Sequence, residues 1–484
     1  MWGGGQCLTP RTLPLAATLG LTMAPAEPFD LLIRGDLVLP DRVLAGGALA
    51  VREGRVAGVL GPGAAVDATV VHEYPGRYVL PGLVDTHVHT LSAPTEGIAR
   101  ATAAAAAGGV TTIVDMPYDS PEPVIEAGRF REKVAQVREQ AHVDVGLYAT
   151  IARVDGVEAI PDLLAEGPLA FKLSLYETDP RRFPRIADGD LLAAFQALAG
   201  ADLPVVLHAE LQEVVDRLLA RELERAEDEP DAHARSRPVV SETAAVVKAL
   251  ELACWAGARV HVAHVTHPRG FRLIEVYREL GGRVSGETCV HYLALASEDV
   301  LRLGPLAKVN PPVRNAVARA GLWEHLRAGH VAAVSTDHAP WPLEAKQRPM
   351  LRAASGVPGL ETFLPVMFTE ARARDLPLPD LAEAIAGRPA DLFGIGDRKG
   401  RLAPGLDADV AVLDARAPWT FDAGRSLSSA RWSPFHGREL AGRVEATYLR
   451  GRLAWRDGEL LAEPGTGRFL QGGAGPPFRN PPSF

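Results

Sequence analysis

Val84-Asp85-Thr86-His87-Val88-His89 decides how the rest of this 484-residue chain is read. The stretch opens as an apolar run and closes on two histidines at i and i+2, and strand periodicity turns such side chains toward one face. Two imidazoles converging on one point suit a metal ion. Alone, the pattern also fits a satisfied core or surface pair, so its weight depends on how the other apolar runs end. Val205-Val206-Leu207-His208 and His261-Val262-Ala263-His264 each end on a histidine, and Val334-Ser335-Thr336-Asp337 ends on a carboxylate. Four histidines and an aspartate at such places form a set, because ionisable groups are rarely buried unless paired or bound to metal.

These runs belong to a longer series. Short strand-like runs end near His87, Met116, Ala149, Leu173, His208, His264, Thr288 and Asp337, and helical stretches separate most of them: Glu96 to Ala107, Ile125 to Gln140, Leu191 to Ala199, Ser241 to Ala256, Gly270 to Leu280 and Ala316 to Ala328. Eight such units predict an α/β fold, a (β/α)8 TIM barrel over 79–399, with its chemistry at the C-terminal strand ends. Phe29 to His72 reads instead as strand and turn, and the texture returns in Ala408 to Leu413 and Ala446 to Trp455, where Arg450-Gly451-Arg452-Leu453 echoes Arg34-Gly35-Asp36-Leu37. Residues 27–78 and 400–460 are therefore expected to join in a small β-sandwich domain. Residues 1–26 read as a poorly ordered extension, in which Arg11, the apolar stretch Leu13 to Leu21 and Ala24-Pro25-Ala26 fit either a weak secretory signal or an extended start ahead of Met23. The glycine- and proline-rich tail, 461–484, is expected to be poorly ordered from Gly465 onward.

Composition narrows the function. Hydrophobic content of 47% with 23% charged residues describes a globular chain, and no apolar run approaches the roughly 20 residues of a membrane span. A net charge of −9 repels a phosphate backbone, which argues against a nucleic-acid partner. Three cysteines, Cys7, Cys254 and Cys289, form no disulfide framework and suit a reducing cytoplasm. Only six of the 51 basic residues are lysine, and Lys172 lies within Leu169-Ala170-Phe171-Lys172-Leu173, the fourth strand run. An ammonium there is costly unless its tip snorkels out or meets an acid. A neutral lysine amine can alternatively take up carbon dioxide to give a carbamate, an anionic oxygen ligand able to bridge two metal ions. Beside four histidines and Asp337, the carbamate is the favoured reading.

His87-Val88-His89, Lys172, His208, His264 and Asp337, in that order on those strands, resemble the binuclear metal set of the amidohydrolase superfamily. Within it they look like the cyclic-amidohydrolase branch of allantoinases, hydantoinases (dihydropyrimidinases) and dihydroorotases. The likeness runs from about Phe29 to about Gly458 and takes in Pro81-Gly82-Leu83-Val84-Asp85, Gly286-Glu287-Thr288-Cys289-Val290-His291-Tyr292-Leu293 and Lys308-Val309-Asn310-Pro311-Pro312. It implies two divalent ions, most often zinc, with His87, His89 and Asp337 on one, His208 and His264 on the other, and N6-carboxylated Lys172 bridging. It further implies that a metal-activated hydroxide opens a cyclic amide or ureide at a C–N bond, with Asp337 as the catalytic proton carrier. Asn310 and the segment at Cys289 are the implied substrate contacts, His291 and His338 are expected to orient neighbours, and the implied assembly is a homotetramer.

Dihydroorotases of this type resemble one another in an arginine two residues after the second histidine and a histidine after the Asp-His-Ala-Pro run; here those positions hold Leu91 and Trp341. A substrate carboxylate would lack its usual partners. The hydantoinase pattern places a tyrosine five residues beyond the lysine, where this chain has Glu177, with Tyr176 one short. Ser236-Arg237-Pro238-Val239 with Glu242, and Ser433-Pro434-Phe435-His436-Gly437, look more like allantoinase, although Met116-Pro117-Tyr118-Asp119 lacks the asparagine common there. Hydrolysis of allantoin to allantoate is thus the first expectation, and hydrolysis of 5-substituted hydantoins or dihydropyrimidines the alternative. A non-catalytic relative would carry a degraded ligand set, and all six positions are filled. The remaining histidines, His325 and His330 among them, default to surface or packing roles.

Overall fold

The computed structural model describes residues 28–93, 95–225 and 229–472, so the expected N-terminal extension and the last part of the tail lie outside the described residues. Eight parallel strands form the barrel: Leu83–Val88, Val110–Asp115, Asp144–Ala149, Ala170–Ser174, Val205–His208, Val260–Val262, Val284–Cys289 and Ala333–Ser335, each beside its neighbour in the sequence. Every residue in them is buried, which is why they read as continuous apolar runs rather than alternations. Last and first strands meet where His89 N donates to His338 O at 2.9 Å and where Asp85 accepts from Thr336 N and Oγ1 at 3.1 and 2.5 Å. The approach to the first strand demands glycine, because a side chain on Gly82 would come within 2.2 Å of Thr111 Oγ1. Helices Gly97–Ala107, Ala127–Gln140, Asp188–Leu198, Val239–Ala256, Pro268–Glu279 and Ala316–Arg327 occupy the expected intervals.

Both ends of the chain contribute to a second, eight-stranded sheet. Its order is Glu459–Leu460, Arg452–Arg456, Arg443–Leu449, Val410–Asp414, Ala68–Pro81, Phe29–Val38, Val43–Arg52 and Arg55–Leu60. The seam between the two ends is the antiparallel pairing of Val410 with Pro81 and Val412 with Val79. The sheet folds over so that Arg55 bridges Asp407, and it encloses its own core of Leu31, Ile33, Leu49, Val410, Val412 and Tyr448. At its junction with the barrel, Lys399 Nζ lies 2.6 Å from Asp144 and Asp409 and 2.9 Å from Asp407. Arg450 Nη1 adds a contact to Asp144 at 2.5 Å.

The glycine- and proline-rich end is ordered further than its composition suggests. Phe469–Leu470 pairs in parallel with Val145 and Gly146 on the third barrel strand, so hydrogen bonding overrides the local bias of Gly465 and Gly467. Among the described residues no helix is long and apolar enough to cross a membrane.

Candidate metal centre at the barrel mouth

All six expected ligands line one cavity of about 110 Å³ at the C-terminal strand ends, together with Asn310. His87 and His89 leave the first strand on the same face, as the i, i+2 spacing requires, and each places Nε2 3.3 Å from Asp337 Oδ1. The second pair faces itself, with His208 Nδ1 3.0 Å from His264 Nε2. His264 and Asp337 do not close their strands: each sits two residues beyond the strand end, at φ 41° and 46°. Such left-handed backbone is costly for residues other than glycine and clusters at functional sites. Both side chains line the cavity.

Buried hydrogen bonds fix which ring nitrogens face inward. Glu287 Oε1 lies 2.7 Å from His87 Nδ1, and Ser92 Oγ lies 3.0 Å from His89 Nδ1, which leaves both Nε2 atoms toward the cavity. Glu210 Oε2 meets His208 Nε2 at 2.8 Å and is itself held by Arg237 Nη1 at 2.5 Å, so Nδ1 of His208 turns inward. Burial holds His208 below its ordinary value, and His87 down at about 4, so both rings are neutral near pH 7, as ligation requires. Burial likewise holds His264 well below its ordinary value. Burial would raise Asp337, but His87 and His89 outweigh it and keep the carboxylate ionised.

Lys172, on the fourth strand, is 1% exposed, and its Nζ has no hydrogen-bond partner. Burial pulls its pKa down to about 8, against the opposing pull of Glu287 and Asp337. His264 Nδ1, His291 Nε2 and Asn310 Oδ1 are likewise buried and unpartnered, and His264 and Asn310 line the same cavity. Orphaned polar atoms of this kind are rare in folded proteins. Neutral nitrogens, an ionised carboxylate and an amine able to become an oxygen ligand form a donor set that fits a pair of divalent ions.

Carboxylate–threonine clamps secure three of the ligand loops. Asp115 accepts from Thr90 N and Oγ1 beside His89, Asp85 from Thr336 beside Asp337, and Glu242 from Thr266 N at 2.8 Å just past His264. These roles, like those of Glu287 and Glu210, have only a weak local sign, for most of them a lone acid at or near the end of a strand run. Tyr118 and Phe183, which carry no such sign, stack at 3.6 Å on the cavity wall, and Arg182 lines it while bonded to Asp179 and the Ser92 carbonyl.

The remaining residues sort by position. Cys289 is fully buried beneath the site, its Sγ 3.6 Å from Ser335 Oγ and its thiol pushed well up by burial, and it is not among the cavity-lining residues. Tyr176 packs under Arg237, 4.3 Å from guanidinium to ring centre, while Glu177 faces outward to Arg153. His338 Nδ1 accepts from Gly359 N at 3.1 Å, a backbone-orienting role. Trp341 lines the cavity and Leu91 packs against the core.

Residues 78–454 match the amidohydrolase family. The chain is 35% identical over 454 residues to an allantoinase of Rubrobacter xylanophilus, covering 92% of this chain and 98% of that protein. It is 33% identical over 451 residues to an L-hydantoinase of Paenarthrobacter aurescens, covering 91% and 98%. Among solved structures, an L-hydantoinase (dihydropyrimidinase) from Arthrobacter aurescens superposes with a TM-score of 0.88 at 32% identity, covering 92% of this chain and all of that one.

Proposed function

The chain belongs to the amidohydrolase family, and from that premise we propose that it opens a cyclic ureide at a ring C–N bond, converting allantoin to allantoate. The observation that carries this reading is the buried, unpartnered Lys172 Nζ among His87, His89, His208, His264 and Asp337. A depressed pKa leaves part of the amine neutral near pH 7, able to bond to carbon dioxide and release a proton. His87, His89 and Asp337 would hold one ion, His208 and His264 the other, and the carbamate would supply an anionic oxygen ligand to the pair, with zinc the metal this nitrogen-rich set favours. When bound, the two ions supply an acidified water and polarise the carbonyl under attack.

The chain's own groups do the rest. Asp337, anionic and 3.3 Å from two imidazoles, takes the proton of the attacking water and returns it to the ring nitrogen as the C–N bond breaks. Asn310 Oδ1, unpartnered at the cavity, accepts a ring N–H and sets the orientation of the ring. Cys289 supports the site from beneath. The Arg182 guanidinium is engaged by Asp179 and Ser92, and Trp341 and Leu91 bring no charge, which disfavours a substrate carboxylate such as that of dihydroorotate.

A second reading rests on the Tyr118–Phe183 stack, an aromatic wall suited to the apolar substituent of a 5-substituted hydantoin, in keeping with the L-hydantoinase relative. A panel of allantoin, 5-substituted hydantoins, dihydrouracil and dihydroorotate, assayed on zinc-loaded protein, separates the two. Highest kcat/KM on allantoin is expected; preference for an aryl hydantoin would favour the second reading, and turnover of dihydroorotate alone would overturn both.

A further inference from the structure

Away from the barrel mouth, one group of metal-ligating side chains has no part in the chemistry above. Glu275, on the helix Pro268–Glu279, faces His325 in the last turn of the helix Ala316–Arg327 and His330 just beyond it. The Nδ1 atoms of His325 and His330 are 3.0 Å apart, and Glu275 Oε1 lies 3.1 Å from the first and 2.5 Å from the second. None of the three lines the barrel cavity.

An ordinary ion pair does not account for this arrangement. Glu275 Oε1 is buried and takes no aligned hydrogen bond, although both ring nitrogens are close to it. Two Nδ1 atoms at 3.0 Å leave at least one bare lone pair, since two N–H groups would repel. The two imidazoles share one Nδ1···Nδ1 hydrogen bond, and Glu275 Oε1 closes a compact triangle of three donor atoms with them. Zinc bonds of about 2.0–2.1 Å set tetrahedral ligand atoms roughly 3.3 Å apart, so to hold the ion two sides of the triangle widen by a few tenths of an ångström and the Glu275–His330 side by about 0.8 Å. The surroundings keep the donors in place: Arg272 Nη1 occupies the other carboxylate oxygen of Glu275 at 3.1 Å, and the Phe271 ring flanks His325 at 5.4 Å. The His330 side chain is 36% exposed, leaving access for the ion and for a water in the fourth position.

We propose that Glu275, His325 and His330 form a third divalent-metal site, selective for zinc, that clamps two adjacent helices of the outer ring. Two imidazoles with one carboxylate favour zinc over magnesium or calcium, which prefer all-oxygen shells. Because one ligand comes from each helix and the third from the turn beyond, the ion would reinforce a junction now held by packing and by the Glu275–His325 and Glu275–His330 contacts.

The test begins with metal-free full-length protein reloaded with Zn2+, freed of excess ion and counted by elemental analysis. Wild type is expected to retain three equivalents and the His325→Ala/His330→Ala variant two, with kcat unchanged. Glu275→Gln, which keeps the side-chain shape, should bind the third ion at least about ten-fold more weakly by calorimetry. Lys172→Ala should still take up one zinc at this site with wild-type affinity, so failure here is distinguishable from failure of the barrel reading. Equal zinc content and equal isotherms for wild type, the double variant and Glu275→Gln would overturn the proposal.

Discussion

Lys172 and Lys399 are the same side chain buried to the same extent, 1% exposed each, at opposite ends of one barrel. At the base, Lys399 is enclosed by Asp144, Asp407 and Asp409; burial would lower its pKa, but the three carboxylates raise it instead. At the mouth, Lys172 finds no partner, and burial prevails. Three carboxylates that by position alone suit a cation are satisfied at the base by an ammonium. The difference separates a lysine placed to stay charged from one placed to become something else.

The widest separation between the two should appear in activity. Lys172→Ala is expected to lower kcat/KM on the preferred ring by on the order of 10³-fold or more and to remove binuclear loading in the barrel, since several kcal/mol of transition-state stabilisation goes with the ions. Steady-state kinetics with metal counting checks this, and a variant with both barrel ions and full rate would erase the contrast. Stability should show the reverse order. Lys399→Met removes the cation shared by three buried carboxylates, leaving Asp144 to Arg450 and Asp407 to Arg398, and should cost about 3–5 kcal/mol in denaturant unfolding, with little effect on barrel metal content.

The sharpest comparison uses pH on the metal-free protein. The folded pKa of Lys172, about 8, lies below its unfolded value of 10.5, so below pH 8 both states are protonated and the folded state bears the whole burial penalty. Between about 8 and 10.5 only the unfolded state holds the proton, and stability rises with pH by up to about 3 kcal/mol relative to Lys172→Met. Lys399 behaves oppositely: its raised pKa gives stability that is complete below the unfolded value and is lost as pH climbs through the folded one. Parallel unfolding curves for wild type and Lys172→Met from pH 7 to 10.5 would contradict the assignment of Lys172 as an unpaired buried amine.

The barrel was legible because its strands are buried on both faces, and the end points near His87, Ala149, Leu173 and His208 coincide with observed strand ends. His264 and Asp337 read as strand-ending candidate ligands, yet each sits two residues past its strand, because a left-handed turn leaves no mark in an apolar run. Scarcity of lysine was visible, yet its meaning was only partly drawn. Lys133, Lys308, Lys346 and Lys399 are buried as well, each satisfied by groups on other elements or loops, such as Asp115 for Lys133 and the carbonyls of Lys308, Ala354 and Gly356 for Lys346. A local window cannot supply those partners. The same limit hid Glu287, which reaches His87 across the barrel, and the Glu275–His325–His330 group, whose members come from different elements.

The seam between Val410–Asp414 and Ala68–Pro81 carries a consequence for the making of the protein. During synthesis, the strands at the start of the chain leave the ribosome with one sheet edge bare, and its partner arrives only after nearly the whole barrel has been translated. That edge is a template on which another nascent chain can add a strand. Polysome crowding and slow elongation should therefore endanger the β-unit more than the barrel, which can close from neighbours already made.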